Sequence, residues 1–160
     1  MSPRLDYAQQ SPELFKKYVA FSLATRQGST VEAAIHDLVQ IRVSQLNGCA
    51  FCVDMHVKQA RIRGERELRL HHLAIWHESP LFDARERAAL AWAEALTQLG
   101  PKGVDDALYA ALRAQFTDHE IVELSYDVMA INGWNRLNVA FRSTPGAQDA
   151  AFGLDKAGLA

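Results

Sequence analysis

The sequence predicts an all-α protein, a single helical bundle of about six to seven helices. Helix-capping patterns recur along the 160 residues, apolar side chains follow them at helical spacing, and no segment alternates apolar and polar residues as a half-buried strand does. The length and a hydrophobic fraction of 49% suit one domain with a packed core. We expect one helical domain over residues 1–146 and a loosely ordered, small-residue-rich tail over residues 147–160.

The first two helices are indicated by their start and stop signals. A Ser-Pro pair at positions 11–12 places a cap and a first-turn proline at the start of a helix that ends near Thr25. Ser29 and Glu32 fit a capping box, and the apolar stripe that follows predicts a second helix. This helix should stop at the Asn-Gly pair at positions 47–48.

The third and fourth helices are bounded by glycine and proline. The expected third helix begins at Cys49 or Ala50 and runs to Arg63, and Gly64 ends it. Apolar residues at helical spacing over 68–76 predict a fourth helix before Pro80.

Two further box patterns mark the second half of the chain. An Asp-x-x-Glu pattern at positions 83–86 opens an alanine-rich fifth helix that ends at the Gly-Pro pair 100–101. Residues 105–115 are typical of a short sixth helix. A Thr-x-x-Glu pattern at positions 117–120 heads a long final segment towards Arg142.

Charge and hydropathy exclude several classes of partner. The 17 basic and 19 acidic side chains nearly cancel and are interspersed, which argues against binding to nucleic acid or to an anionic membrane surface. No apolar run reaches the length of a membrane span, and the first 14 residues lack the apolar core of a signal peptide. We therefore expect a cytoplasmic protein with no membrane or nucleic-acid partner.

The only two cysteines, Cys49 and Cys52, lie three residues apart at the start of the third helix, and His56 follows one turn later. At about 100° per residue the three side chains fall within an arc of about 60°. Unpaired N–H groups and the helix dipole at this end favour a thiolate over a thiol. In a reducing compartment, such a pair indicates redox chemistry or a metal site.

Peroxide reduction would require more than a thiolate, because cleavage of the O–O bond expels an alkoxide that must be protonated or hydrogen-bonded. His56 could accept the thiol proton and return it to that oxygen. Asp37 is the candidate carboxylate that orients the histidine, since it lies on the apolar stripe of the second helix with no cationic residue three or four positions away. The predicted catalytic residues are therefore Cys49, Cys52, His56 and Asp37.

The run DLVQIRVSQLNGCAFCVDMH, residues 37–56, resembles the signature of AhpD-like alkylhydroperoxidases in the carboxymuconolactone decarboxylase superfamily. The stretches HESPLFDARERAALAWAEALT, residues 77–97, and INGWNRLNVAFR, residues 131–142, are also similar to this family. The resemblance covers most of residues 10–142. It implies an AhpD-like all-α fold that assembles into homo-oligomers, trimers or hexamers built from dimers.

The resemblance also implies hydroperoxide reduction through the cysteine pair, with no cofactor or metal. In the family, an acid, two cysteines and a histidine form a proton relay, which transfers here to Asp37, Cys49, Cys52 and His56. A dithiol donor, either a thioredoxin-like protein or a lipoyl domain, restores the reduced pair. Members without the cysteines form the decarboxylase-like branch, so the motif CAFC argues against that chemistry.

Two positions depart from the family pattern. Asp37 stands where the family has glutamate and is shorter by one methylene, about 1.5 Å of reach, so it acts through water or takes no part. Phe51 lies between the cysteines, where some members carry a histidine.

Several alternatives stay open at this stage. The thiols could be inert core residues, His56 a hydrogen-bonded core histidine and Asp37 a structural acid. The pair could serve as a redox sensor on an oligomeric scaffold without turnover. The spacing C-x-x-C-x-x-x-H also offers three zinc ligands, although no second ligand pair accompanies it. The candidates for a fourth zinc ligand are His36, His71, His72 and His77.

The order of reaction of the two cysteines is open as well. Cys49 lies nearer the helix end, whereas Cys52 is one turn from His56 and is favoured here because proton transfer is then local. Near the end of the chain, Trp134, Asn135 and Arg136 follow Gly133 in a helical segment. There we expect close helix packing or a subunit contact, because glycine costs about 1 kcal/mol relative to alanine in a helix.

Overall fold

A computed structural model describes residues 2–159, which contain nine α-helices, two short 3-10 helices and no β-strand. The prediction of an all-α fold is confirmed. None of the described helices combines the length and the apolar character that crossing a membrane requires. The α-helices are α1 (Tyr7–Gln10), α2 (Pro12–Ala24), α3 (Ala33–Leu46), α4 (Ala50–Ile62), α5 (Glu67–His72), α6 (Ala84–Thr97), α7 (Asp106–Arg113), α8 (Asp118–Phe141) and α9 (Asp149–Phe152), and the 3-10 helices are Leu73–Ile75 and Leu154–Ala157.

All seven expected helices occur, and the two additional ones, α1 and α9, are single turns near the chain ends. The capping boxes at positions 83–86 and 117–120 are present, with both reciprocal hydrogen bonds formed. The prediction of a capping box at Ser29 and Glu32 is wrong. Ser29 Oγ instead donates to Glu123 Oε2 at 3.1 Å and accepts from Val31 N at 3.1 Å. A contact with α8 therefore replaces the capping bond that was expected at the start of α3.

Helix α3 lies at the centre of the bundle and packs against α4, α6 and α8. One apolar cluster fills the space between α3, α6, α7 and α8 and includes both cysteines, and a second lies between α3, α4, α6 and the 3-10 helix Leu73–Ile75. Helix α3 is therefore buried around most of its circumference, with polar as well as apolar side chains. Its most deeply buried apolar side chains are Leu38, Val39, Ile41 and Val43.

Helix α8 continues through Gly133 without a break, and the reason for glycine is the close approach of α2. A Cβ atom at this position would lie 1.9 Å from the hydroxyl oxygen of Tyr18. That hydroxyl donates a hydrogen bond of 2.7 Å to Ala130 O, and the Tyr18 ring packs on Trp134 at 4.6 Å between centroids. The expected close helix packing is therefore found here within the subunit.

Gly133→Ala is expected to destabilise the protein although alanine favours a helix by about 1 kcal/mol. Forcing a methyl group against Tyr18 costs about 1–3 kcal/mol, so a net loss of up to about 2 kcal/mol should appear in chemical denaturation. Tyr18→Phe removes the nearest atom, and in that background the substitution should cost less. An equal loss in both backgrounds would argue against this contact.

The segment after residue 146 packs against α4. Lys58, buried in the middle of α4, lies 2.6 Å from Asp149 Oδ2 and 3.0 Å from Asp54 Oδ2, and the latter oxygen also accepts from Gly146 N at 3.0 Å. Leu154 is buried beyond α9. A buried ammonium group requires acidic partners, and the tail supplies one of them. Composition alone does not predict this packing, and the domain boundary at residue 146 stays a prediction.

Candidate active site

The two cysteines occupy the start of α4, as the sequence predicts. Gly48 adopts φ +65°, a conformation that glycine reaches without strain, and it turns the chain so that Cys49 becomes the N-cap of α4. The Cys49 sulfur accepts a hydrogen bond from the backbone N–H of Cys52 at 3.4 Å. Both thiols are free, and their exposed fractions are only 2% and 0%.

The two thiols are electrostatically unequal. The neighbouring Cys52 side chain lowers the pKa of Cys49, against the opposing effect of burial. The Cys52 backbone N–H and the Asn135 side chain lower that pKa further. The presence of Cys49, together with burial, raises the pKa of Cys52. When the pair loses its first proton, the negative charge therefore lies on Cys49, and Cys52 stays protonated.

His56 lies on α4 one turn beyond Cys52 and is 6% exposed. Burial lowers its pKa to about 4, because the imidazolium ion would lose its hydration. Its Nδ1 lies 2.9 Å from Gln59 Oε1, and since an amide oxygen only accepts, Nδ1 carries the proton and Nε2 keeps a lone pair. His56 is thus a neutral base at pH 7. The hydrogen bonds of residues 2–159 do not join it directly to either sulfur.

Asp37 is buried in α3 and is fully engaged with arginines. Arg63 Nη1 donates to both carboxylate oxygens, at 2.6 and 2.7 Å, and Arg26 Nη2 donates to Oδ1 at 2.9 Å. The expectation of an unpaired acid is wrong, because both cations come from other parts of the chain. The charge of Asp37 raises the pKa of His56 through space, whereas the charge of Arg26 lowers it. Its place in a proton relay stays a prediction.

A cavity of about 600 Å³ lies on the other side of Asn138 from the Cys52 sulfur, and neither cysteine is among its lining residues. Its wall is largely apolar and includes Phe51 and Trp134, and its polar groups include His56, Tyr7 and Asn138. Part of its lining comes from residues 3–8 and 143–152, the segments at the two ends of the chain. A cavity of this size and lining suits a small, mostly apolar molecule.

Two residues that the sequence did not single out connect this cavity to the thiols. The Tyr7 hydroxyl donates to Asn138 Oδ1 at 3.1 Å, and Asn138 Nδ2 in turn donates to Cys52 Sγ at 3.6 Å. Asn138 is 4% exposed and Tyr7 is partly buried. The available sequence signal was the recurrence of asparagine at positions 132, 135 and 138, which places three amides near one face of α8.

The asparagine face of α8 also holds the turn that precedes the cysteines. Asn47 Nδ2 donates to the side-chain oxygens of both Asn132 and Asn135, at 2.9 Å each. Asn135 Nδ2 donates to Ser44 Oγ at 3.0 Å. These bonds fix the start of α4 against α8 and keep Asn135 beside Cys49.

The histidines considered as zinc ligands are engaged elsewhere. His36 Nδ1 lies 2.8 Å from Asp127 Oδ2, and its Nε2 lies 3.1 Å from Ser29 Oγ. The remaining three contact Glu67 (His71), Ser79 (His72) and Glu94 (His77). Throughout residues 2–159 no three histidine, cysteine or acidic side chains cluster as metal ligands. The zinc hypothesis therefore finds no ligand set in the part of the chain that the structure describes.

Comparison with known proteins identifies the group to which this architecture is related. The model of the carboxymuconolactone decarboxylase family matches residues 12–95. The uncharacterized protein YdfG of Bacillus subtilis (strain 168) is 39% identical over 140 residues, which span 88% of this chain and 95% of YdfG.

Solved structures show the same relationship. A protein of unknown function from Agrobacterium tumefaciens, provisionally named as the antioxidant defence protein AhpD, superposes with a TM-score of 0.87 at 42% identity and covers 91% of this chain and 99% of its own. An uncharacterized peroxidase-related protein with an AhpD core from Ralstonia eutropha JMP134 has a TM-score of 0.79 at 21% identity, covering 88% of this chain and 75% of that one. The second likeness shows the fold alone.

Proposed function

Because the chain belongs to the carboxymuconolactone decarboxylase family and is AhpD-like, we propose that it is a thiol-dependent peroxidase that reduces organic hydroperoxides. The observation that carries this proposal is the pair of free thiols at the start of α4, because Asn138 donates a hydrogen bond to the Cys52 sulfur and lines the same mostly apolar cavity as His56. A reducing compartment such as the cytoplasm, where the pair is regenerated, suits this chemistry.

In the first step, a thiolate attacks the terminal oxygen of the hydroperoxide. The sulfur is oxidised to sulfenic acid, the O–O bond breaks, and the departing alkoxide takes a proton and leaves as an alcohol. The Nε2 atom of His56, which is unprotonated at neutral pH, accepts the proton that the thiol pair loses when it ionises and then returns this proton to the alkoxide. Asp37 tunes His56 through its charge.

We assign the attack to Cys52. Asn138 touches this sulfur and also lines the cavity, so Cys52 is the thiol connected to the substrate space. Cys49 is the more acidic thiol and loses its proton to His56, and a second proton that passes from Cys52 to Cys49 then moves the negative charge to the attacking sulfur.

In the second step, the Cys49 thiol attacks the sulfenic sulfur, a disulfide forms, and water leaves with the sulfenic oxygen. An external dithiol, a thioredoxin-like protein or a lipoyl domain, then reduces the disulfide by two thiol exchanges and is itself oxidised. The two electrons that the hydroperoxide takes from the thiol pair are thus replaced by the external dithiol, and the cycle needs no resident metal or cofactor.

The test of this proposal is a peroxidase assay on the reduced protein. Several organic hydroperoxides and hydrogen peroxide are supplied in turn, the loss of two thiols is titrated, and the Cys49–Cys52 disulfide is identified by mass spectrometry. Turnover is then followed with different dithiol donors. Thiols that survive excess hydroperoxide would contradict the proposal. A disulfide that changes the assembly size without supporting turnover would identify a redox sensor instead.

The proposed assembly is a homo-oligomer, a trimer or a hexamer. Val122, Tyr126 and Met129 recur at helical spacing along α8, and their exposed fractions are 53%, 49% and 58%. Such a stripe suits a contact with a second copy of the chain. Light scattering is expected to show an oligomer that Met129→Glu weakens, whereas Leu99→Glu, at another exposed apolar position, leaves it intact. A monomeric wild-type protein would contradict this assignment.

A further inference from the structure

We infer that the Tyr7 hydroxyl donates the hydrogen bond that stabilises the departing alkoxide oxygen, an inference that rests on the proposed peroxidase function. Tyr7 would thus touch the substrate and form part of the reacting site.

The N-terminal segment holds Tyr7 in a defined position. Asp6 caps the single turn of α1, with its Oδ1 accepting from Ala8 N at 2.9 Å. The backbone of Arg4 is tied to the end of α8 by a hydrogen bond of 3.0 Å to Phe141 O. The Tyr7 ring packs against Phe15 and Phe141, with centroids 6.1 and 5.7 Å away. These contacts place the phenol at the wall of the cavity.

The position of the hydroxyl is set by Asn138. The side-chain amide of Asn138 faces two ways, with its oxygen accepting from Tyr7 and its nitrogen donating to the Cys52 sulfur and to Trp134 O, the latter at 2.9 Å. The phenol is therefore one side chain away from the sulfur that we assign to the attack. A peroxide between Cys52 and the cavity would meet this hydroxyl.

The phenol keeps its proton while the thiols ionise. Burial, aided by the nearby negative charge of Cys52, raises the pKa of Tyr7 to about 12. A thiolate can thus form beside a phenol that remains a hydrogen-bond donor.

The reaction needs such a donor where charge develops. As the O–O bond breaks, negative charge collects on the alkoxide oxygen in a mostly apolar cavity, where a fixed donor is worth far more than in water. His56 cannot supply a lasting positive charge there, because its pKa is about 4. The two roles are therefore divided. His56 carries the proton from thiol to alkoxide, and Tyr7 exchanges its bond to Asn138 for a bond to the oxygen that leaves.

Tyr7→Phe tests this role, because it removes the hydroxyl and keeps the ring. The rate of oxidation of the reduced protein is measured with tert-butyl hydroperoxide and with peracetic acid. The first expels a strongly basic alkoxide, whereas the second expels a weakly basic carboxylate that needs little stabilisation. The variant is expected to slow the reaction with tert-butyl hydroperoxide by about 100-fold and the reaction with peracetic acid much less. Alkylation of the thiols by iodoacetamide, whose leaving group needs no donor, should be unchanged.

Tyr18→Phe is the matched control, since its hydroxyl is also partly buried but donates to the backbone oxygen of Ala130 rather than to Asn138. It should leave all three rates unchanged. Equal slowing of both oxidants by Tyr7→Phe, or no slowing at all, would overturn the inference. A wild-type protein that no hydroperoxide oxidises would instead overturn the proposed function itself.

Discussion

Cys52→Ser is expected to abolish oxidation by hydroperoxides, whereas Cys49→Ser is expected to stop turnover yet still form one sulfenic acid per chain. The asymmetry follows from the contacts of the two sulfurs. Cys52 accepts a hydrogen bond from Asn138, which lines the cavity, whereas Cys49 is the N-cap of α4 and is needed to close the disulfide. A reagent that traps sulfenic acids, followed by mass spectrometry, locates the oxidised sulfur in each variant.

Serine is the appropriate replacement because it keeps the shape of the site. Both positions are almost fully buried, and Asn135 and Asn138 can hydrogen-bond to the new hydroxyl groups. Circular dichroism and denaturation should confirm that each variant folds. A trapped sulfenic acid on Cys49 of the Cys52→Ser variant would reassign the attack to Cys49. Full turnover by both variants would contradict the peroxidase proposal.

The stability of the protein is expected to fall as the pH decreases from about 6.5 to about 4, and His56 should account for a large part of this loss. The unfolded chain protonates its histidines near pH 6.5, whereas burial keeps His56 neutral in the folded protein down to a pKa of about 4. The unfolded state therefore binds more protons in this interval, and acid favours unfolding. The difference between the two pKa values corresponds to about 3 kcal/mol.

Denaturation at a series of pH values, on the wild type and on His56→Gln, measures this contribution. The pH dependence of the wild type should exceed that of the variant between pH 6.5 and 4. His119→Gln is the control, because the His119 side chain is 72% exposed. Identical pH dependence of the wild type and His56→Gln would show that His56 does not titrate as its burial requires.

The rate of oxidation by hydroperoxides should also depend on His56. His56→Gln is expected to slow oxidation by about 10²–10⁴-fold, the usual contribution of a general acid or base. In the wild type, the rate should rise with pH as the thiol pair ionises, with no inflection from His56 between pH 5 and 8. An inflection near pH 6.5 that His56→Gln removes would place the histidine in a far more solvated site than the structure shows.

Much of the fold was predictable because its determinants are local. The capping boxes at positions 83–86 and 117–120 satisfy helix-end N–H groups within one turn, so their residue types alone mark those helix starts. The placement of Cys49, Cys52 and His56 followed in the same way, since an Asn-Gly turn and the helical repeat bring them to one face of α4.

The tertiary structure decided the surroundings of these residues. Asp37 looked unpaired because its own helix offers no cation, yet Arg26 and Arg63 reach it from other segments. Tyr7 and Asn138 are 131 residues apart and share a hydrogen bond at the cavity. Such partners have no fixed sequence spacing and arise only when helices pack. The sequence by itself determined the all-α class and the placement of two cysteines and a histidine along α4, whereas packing determined their burial, their charge partners and the cavity near them.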